Sequence, residues 1–239
     1  MAELIFKRSE QKYLLDAGQT AVFRQAMARH MQPGQFPTAS IRNIYYDTAD
    51  FRLIRRSLEK PVYKEKLRLR SYGDISEDDT VFLEMKKKFQ GVVYKRRLAL
   101  PYREAAAYMA DPALRLDDTQ VGRELDYFKT FYGALQPALY MSYDRWSWCS
   151  NESDLRVTLD QNICFRREQM DLTASTGGTE LLQPGQALVE IKASGAMPLW
   201  LAQLLSREMI RQISFSKYGT AYLRLLKEHK IDCRGFQYV

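Results

Sequence analysis

The chain is short of the side chains that carry most acid–base and metal chemistry. Histidine occurs only 2 times in 239 residues, as His30 and His229, each alone near an expected helix end. A His-based dyad, a His metal site and Ser-His-Asp chemistry are therefore set aside. Cysteine occurs 3 times (Cys149, Cys164, Cys233), odd in number and without the paired spacing of a zinc site. The reading is reduced thiols in a cytosolic protein, with Cys149 and Cys164 semi-buried in strands. Gly (12) and Pro (8) are few, about 8% of the chain against roughly 12% on average, which argues against linkers and collagenous repeats. No apolar run reaches the roughly 18–20 residues that cross a bilayer. Lys7, Arg8 and Glu10 interrupt the hydrophobic start, so it does not read as a secretory signal.

What is present is an ordinary globular composition with a basic tilt. Apolar residues make up 46% and charged residues 27%, and 36 Lys plus Arg face 29 Asp plus Glu for a net charge of +7. A chain of this length buries about 70% of the surface its unfolded form exposes and needs no staples. Neither an internal repeat nor a linker divides it, so residues 1–239 read as one domain. The charge by itself suggests nucleic acid, but no recognition motif accompanies it.

Pattern and punctuation give an α+β order. Strands are expected over 4–15, 40–46, 62–72, 81–89, 92–100, 138–149, 155–166 and 187–193. Asp16 with Gln19 forms a capping box that opens a helix through about residue 31, where Pro33-Gly34 ends it. Further helices are expected over 51–58, 103–110, 119–135, 198–212 and 216–229. Gln90-Gly91 reads as a hairpin turn, although only its second residue readily takes a positive φ.

Alternation then sorts the charges, because every second side chain of a strand shares a face. Arg8, Glu10 and Lys12 share one. So do Lys64, Lys66, Arg68 and Arg70; Glu84, Lys86 and Lys88; and Lys95 with Arg97. Tyr143 with Arg145, Arg156 with Thr158 and Asp160, and Glu190 with Lys192 complete the set. One reading is a polar face turned to water, as in any antiparallel sheet. The other is a barrel: the charges are mainly positive, like charges side by side repel, and the apolar faces are the ones helices can dock on. An antiparallel β-barrel with helices outside would then line its lumen with Lys and Arg, and such a lumen binds a polyanion.

Nine pieces in order carry a family resemblance. They are E-x-K at 10–12, YYDT at 45–48, KLRLRSYG at 66–73, FLEMKKK at 82–88, YKRRLAL at 94–100, YDRWSW at 143–148, LRVTLDQN at 155–162, LVEIKAS at 188–194 and FSKYGTAY at 215–222. Together they resemble the triphosphate tunnel metalloenzymes (the CYTH superfamily), and within them the VTC-type polyphosphate polymerase domain. Hydrolytic members typically show E-x-E-x-K in the first strand. Here Arg8 takes the first acidic position and Glu10 stands alone, which weakens the organisation of a second metal and an attacking water.

The resemblance implies metal-dependent phosphoryl transfer in a basic tunnel: polyphosphate made from a nucleoside triphosphate, with inorganic phosphate or polyphosphate as acceptor. Arg offers a planar fork to phosphate and Lys a mobile point charge. Arg68, Arg70, Lys86 and Lys95 are the expected catalytic clamp. Lys12, Arg97, Tyr143, Arg145, Arg156, Lys192, Ser216 and Lys217 are the expected substrate contacts. Tyr143 also reads as wall, and Ser216 as a plain N-cap. Without His or Cys ligands the metal is Mn²⁺ or Mg²⁺ on oxygen. Glu190 aligns with the family's metal-binding glutamate, followed by Glu84 and Glu10, both of which also read as lysine salt bridges. Asp160 reads as a structural partner of arginines. The rivals are a triphosphatase acting on inorganic, nucleoside or RNA triphosphate and a non-catalytic polyphosphate sensor. No nucleic acid is expected. The chain carries no transmembrane segment, which reads as cytoplasmic and leaves room for a separate membrane-embedded partner at the inner face of the membrane.

Overall fold

The computed structural model describes residues 9–90 and 92–231; Lys7, Arg8, Gly91 and Cys233 lie outside them. The chain forms β1 (Ser9–Leu15), α1 (Ala17–His30), β2 (Gln32–Thr48), α2 (Arg52–Leu58), β3 (Tyr63–Tyr72), β4 (Thr80–Phe89) and β5 (Val92–Pro101). Next come α3 (Tyr102–Ala110), α4 (Gln120–Tyr132), β6 (Leu135–Cys149), β7 (Arg156–Arg166) and β8 (Thr179–Glu180). β9 (Ala187–Ala193), α5 (Leu199–Arg207), β10 (Gln212–Ile213) and α6 (Lys217–Lys227) complete it. This is a mixed α+β fold with mostly antiparallel strands and, among the described residues, six helices.

Local chemistry explains most boundaries. The Asp16 carboxylate accepts from Gln19 N at 2.8 Å while the Gln19 side chain accepts from Asp16 N at 3.0 Å, so the capping box starts α1 as expected. The helix ends at Met31, which is extended. Pro33-Gly34 do not form a turn but lie inside β2, a 17-residue strand that starts well before the expected residue 40. Gly34 is needed there because a Cβ would come within 2.6 Å of Ser147 Oγ on β6. α4 stops at Gly133, whose φ of +70° ends the helix two residues before the expected 135. α5 stops at Arg207 rather than 212, and the two residues of β10 that follow pair with β1. Phe89 and Val92 are cross-strand partners, so Gln90 opens a two-residue hairpin with φ +46°.

Contacts group the chain into two compact units. The first comprises residues up to 40, 143–163 and 180–215; the second comprises 41–142, 164–179 and 216 onward. In the first, the strand order is β10-β1-β9-β7-β6-β2, and β1 runs antiparallel to β9 and β10. Phe23 and Met27 of α1 and Leu201, Leu204 and Leu205 of α5 pack on Tyr13, Leu15, Val157, Leu159, Val189 and Ile191. In the second unit the order is β6-β2-β3-β4-β5, again antiparallel over β2 to β5. There Tyr108 and Met109 of α3 and Leu125 and Phe128 of α4 cover Leu67, Leu69, Val81, Leu83 and Met85. Each fully buried aliphatic side chain contributes roughly 1.5–3 kcal/mol.

α1 and α5 in the first unit and α3 and α4 in the second therefore take the apolar strand faces, while the start of α6 meets the charged face of the second unit. Each order ends on an open strand, β10 in the first unit and β5 in the second. Among the described residues, hydrogen bonding does not close either into a barrel.

Candidate functional site: two cationic strand faces

On the second unit, register assembles the charges. Arg68 of β3 lies opposite Glu84 of β4, and Glu84 opposite Arg97 of β5. One step along, Lys66, Lys86 and Lys95 form a row of three lysines. Glu84 is only 2% exposed and is clasped on both oxygens. Arg68 donates to Oε2 from Nε at 2.8 Å and from Nη2 at 2.7 Å. Arg97 Nε at 2.7 Å and Lys95 Nζ at 2.6 Å donate to Oε1, and Arg70 Nε stands 3.8 Å from Oε2. Burial alone would raise the Glu84 pKa, but the charges of Arg68, Arg70 and Lys95 outweigh it and hold the carboxyl far below the usual range. Burial pulls the Lys95 ammonium below its ordinary value, and the neighbouring Arg97 and Arg68 charges add to that against the pull of Glu84.

The arginines are held in place by residues that the alternation argument passed over. Asn43 Oδ1 on β2 accepts from Arg70 Nε at 2.9 Å, and the two residues are cross-strand partners. The Tyr72 hydroxyl accepts from Arg97 Nη2 at 3.0 Å, while the Arg97 guanidinium lies 4.5 Å from the centre of the Phe82 ring. The findable signal was Asn43 in SIRNIYY, a polar residue that shares its strand face with Ile41 and Tyr45.

The start of α6 joins this face. Lys66 Nζ donates to Ser216 Oγ at 2.8 Å, and the same oxygen caps the helix by accepting from Gly219 N at 3.1 Å. Ser216 is thus an N-cap that also meets a lysine of this face. Lys217 is buried. Asp47, which the sequence offered only as part of YYDT, is fully buried and organises this corner. Its carboxylate accepts from Leu53 N (2.8 Å), Ile54 N (3.0 Å) and the Tyr218 hydroxyl (2.9 Å). Burial raises the Asp47 pKa despite these hydrogen bonds.

On the first unit the charges alternate in sign. Glu10 lies opposite Lys192, and Lys12 opposite Glu190, across the β1–β9 pair. Lys12 Nζ is 3.3 Å from Glu10 and 3.6 Å from Glu190, and Lys192 Nζ is 3.8 Å and 3.5 Å from the same carboxylates. Lys12 also donates to Phe215 O at 3.0 Å. Arg145 is bidentate to Asp160, at 2.6 and 2.7 Å, which makes Asp160 the structural partner expected of it. Tyr143 is buried, with its ring centre 5.3 Å from the Arg145 guanidinium. Arg156 is exposed opposite Lys192.

The two faces differ in their fit to a metal. Among the described residues no three His, Cys, Asp or Glu side chains gather into a metal-binding group. Glu10 and Glu190 do converge on the same pair of lysines. A small hard cation commonly takes one or two carboxylates and completes its shell with water and substrate phosphate, so this pair fits Mg²⁺ or Mn²⁺. Thr158, opposite Glu190, keeps a buried hydroxyl with no partner among the described residues, a further oxygen beside the pair. Glu84 is placed differently, for its oxygens are already filled by cationic donors, and the geometry carries the ion-pair reading of it.

Comparison with known proteins matches a family model described as the VTC domain over residues 7–226. No curated protein sequence is matched. Among solved structures, one from Bacillus halodurans described as a "putative adenylate cyclase" aligns with a TM-score of 0.55 at 14% identity. The alignment covers 88% of this chain and 95% of that one. A second so described, from Vibrio parahaemolyticus, aligns with a TM-score of 0.49 at 11% identity, covering 90% and 97%. At such identities the first likeness shows the fold alone.

Proposed function

The chain belongs to the VTC domain family, and from that premise we propose that it is a metal-dependent phosphotransferase that builds polyphosphate from a nucleoside triphosphate within a basic tunnel. The family supports triphosphate binding and phosphoryl transfer; the polymer product and the closed tunnel are our reading. The observation that carries it is the Glu84 clasp, in which four cations meet one carboxylate. That leaves a surplus of positive charge with its forks already oriented by Asn43 and Tyr72.

Phosphoryl transfer asks a protein mainly to position the reactants and stabilise spread negative charge. In this reading Arg68, Arg70, Lys86 and Lys95 hold the transferring phosphoryl group, and Arg97, Ser216 and Lys217 bind the chain beside them. Lys12, Lys192, Arg145 and Arg156 serve the same purpose on the other face. Glu190 and Glu10 would hold Mn²⁺ or Mg²⁺, which when bound neutralises charge on the phosphate oxygens. The acceptor phosphate is already anionic at neutral pH, so no general base is called for, in keeping with the scarcity of histidine. A lone Glu10 in the first strand speaks against efficient hydrolysis. A separate membrane-embedded partner is compatible with this role, and no helix among the described residues is long and apolar enough to cross a membrane itself.

The test is incubation with ATP and Mn²⁺, followed by separation of long-chain polyphosphate from free phosphate. Polymer is expected; release of phosphate alone would move the assignment to a triphosphatase. Arg70→Ala and Glu190→Ala are each expected to abolish turnover while circular dichroism stays native-like, and wild-type turnover in both would rule the assignment out.

A further inference from the structure

Away from the charged strand faces, the first unit has a cleft between α1 and α5. The helices run in opposite directions: Gln19 Nε2 donates to Glu208 O at 2.9 Å at one end, and the His30 ring stacks on Trp200 at the other, 4.4 Å apart and 11° from parallel. The cavity between them measures about 490 Å³, within the usual span of small-molecule sites. Its floor is apolar, formed by Val22, Ala26 and Leu204. Its rim is cationic and polar: Arg29 and Gln25 from α1, Arg207 and Gln203 from α5. No carboxylate lines it. Arg207 pairs with its neighbour Glu208 at 2.9 Å. The side chains of Arg29, Gln25 and Gln203 have no hydrogen-bond partner among the described residues.

We propose that this cleft is a second ligand site, and that it takes a nucleoside monophosphate. Arg29 has no ion pair among the described residues and Arg207 pairs with Glu208 through Nε, which leaves its Nη groups to the cleft; guanidinium groups so placed favour an anion. The imidazole–indole stack at one end offers a platform for a further flat ring, and the two glutamine amides supply donors and acceptors for the edge of a base. The apolar floor suits a heterocycle and gives nothing to a bare phosphate chain. Arg207 lies seven residues along α5 from Trp200, about 10 Å of helix, which suits one phosphate at the Arg207 end and one base at the Trp200 end, where Arg29 precedes His30 and borders the base. The site stands whether or not the phosphotransferase reading holds.

Isothermal titration of the whole protein with AMP tests it, using ribose 5-phosphate as the ligand that lacks a base. AMP is expected to bind, with ribose 5-phosphate at least tenfold weaker. Arg207→Ala should weaken AMP at least tenfold and Arg29→Ala severalfold, and Trp200→Phe should remove the AMP-dependent quenching of tryptophan fluorescence. Arg29 and Arg207 are exposed and Trp200→Phe keeps an aromatic ring, so the variants fold. Arg123→Ala, an exposed change on the other unit, should leave AMP affinity unchanged. Absence of AMP binding at millimolar concentration, equal binding of ribose 5-phosphate, or affinity insensitive to both arginine variants would overturn the proposal.

Discussion

At Glu84 one nearly buried carboxylate sits among four cations, and removing its charge exposes what it was doing. Glu84→Gln leaves Arg68, Arg70, Lys95 and Arg97 to repel one another. We expect a loss of about 2–3 kcal/mol, near the lower end for a broken buried pair because Lys95 and Arg97 are 44% and 37% exposed and partly screened. The sign of the pH dependence follows from the depressed pKa. A carboxyl that titrates lower in the folded than in the unfolded state stabilises the fold above the ordinary carboxylate range. That contribution disappears as pH falls through the folded value. Melting curves of the wild type and the variant should therefore stay separated at pH 5 and converge only in strongly acid solution. Asp47 is a second test at this scale. Both its oxygens accept from donors, so the amide of Asp47→Asn turns one donor toward another, and we expect about 1–3 kcal/mol of lost stability by urea denaturation.

At the scale of the element, α6 begins where Ser216 both caps the helix and meets Lys66. Ser216→Ala should cost about 1 kcal/mol in chemical denaturation, the usual worth of an N-cap. It should also lower triphosphate affinity if the Lys66 ammonium loses its anchor, whereas Ser216→Thr should restore the stability. Elements of this kind were legible because a side chain announces them: the Asp16–Gln19 box, Ser216 before a helix, alternating charge in β3 to β5. Others were not. β10 has two residues and exists because β1 offers it an edge, which no short-range pattern records. The early part of β2 holds Pro33, Gly34 and Pro37, residues that read as turns when the strand partner is unknown. The site was legible in its charges and silent on their orientation, because Asn43, Tyr72 and Asp47 act through neighbours far along the chain.

For the molecule as a whole, a net charge of +7 gathered partly on strand faces predicts stabilisation by polyanions. Inorganic triphosphate at a hundred times its dissociation constant should add about 2.7 kcal/mol to unfolding, and added salt should weaken the effect. The shift should be larger in Glu84→Gln than in the wild type, since the variant has more uncompensated positive charge. Equal shifts would mean that the anion sits elsewhere. The family and the α+β class were readable from nine ordered motifs because the cations and their strand spacing are written locally. Closure of the strands was not, since it depends on pairing between segments distant in sequence. The most direct measurement is a crystal structure of the protein soaked with inorganic triphosphate and Mn²⁺. Phosphate density within hydrogen-bonding distance of Arg68, Arg70 and Lys95 is the predicted result. Density confined to other surfaces, with those three side chains still turned only to Glu84, would contradict the account.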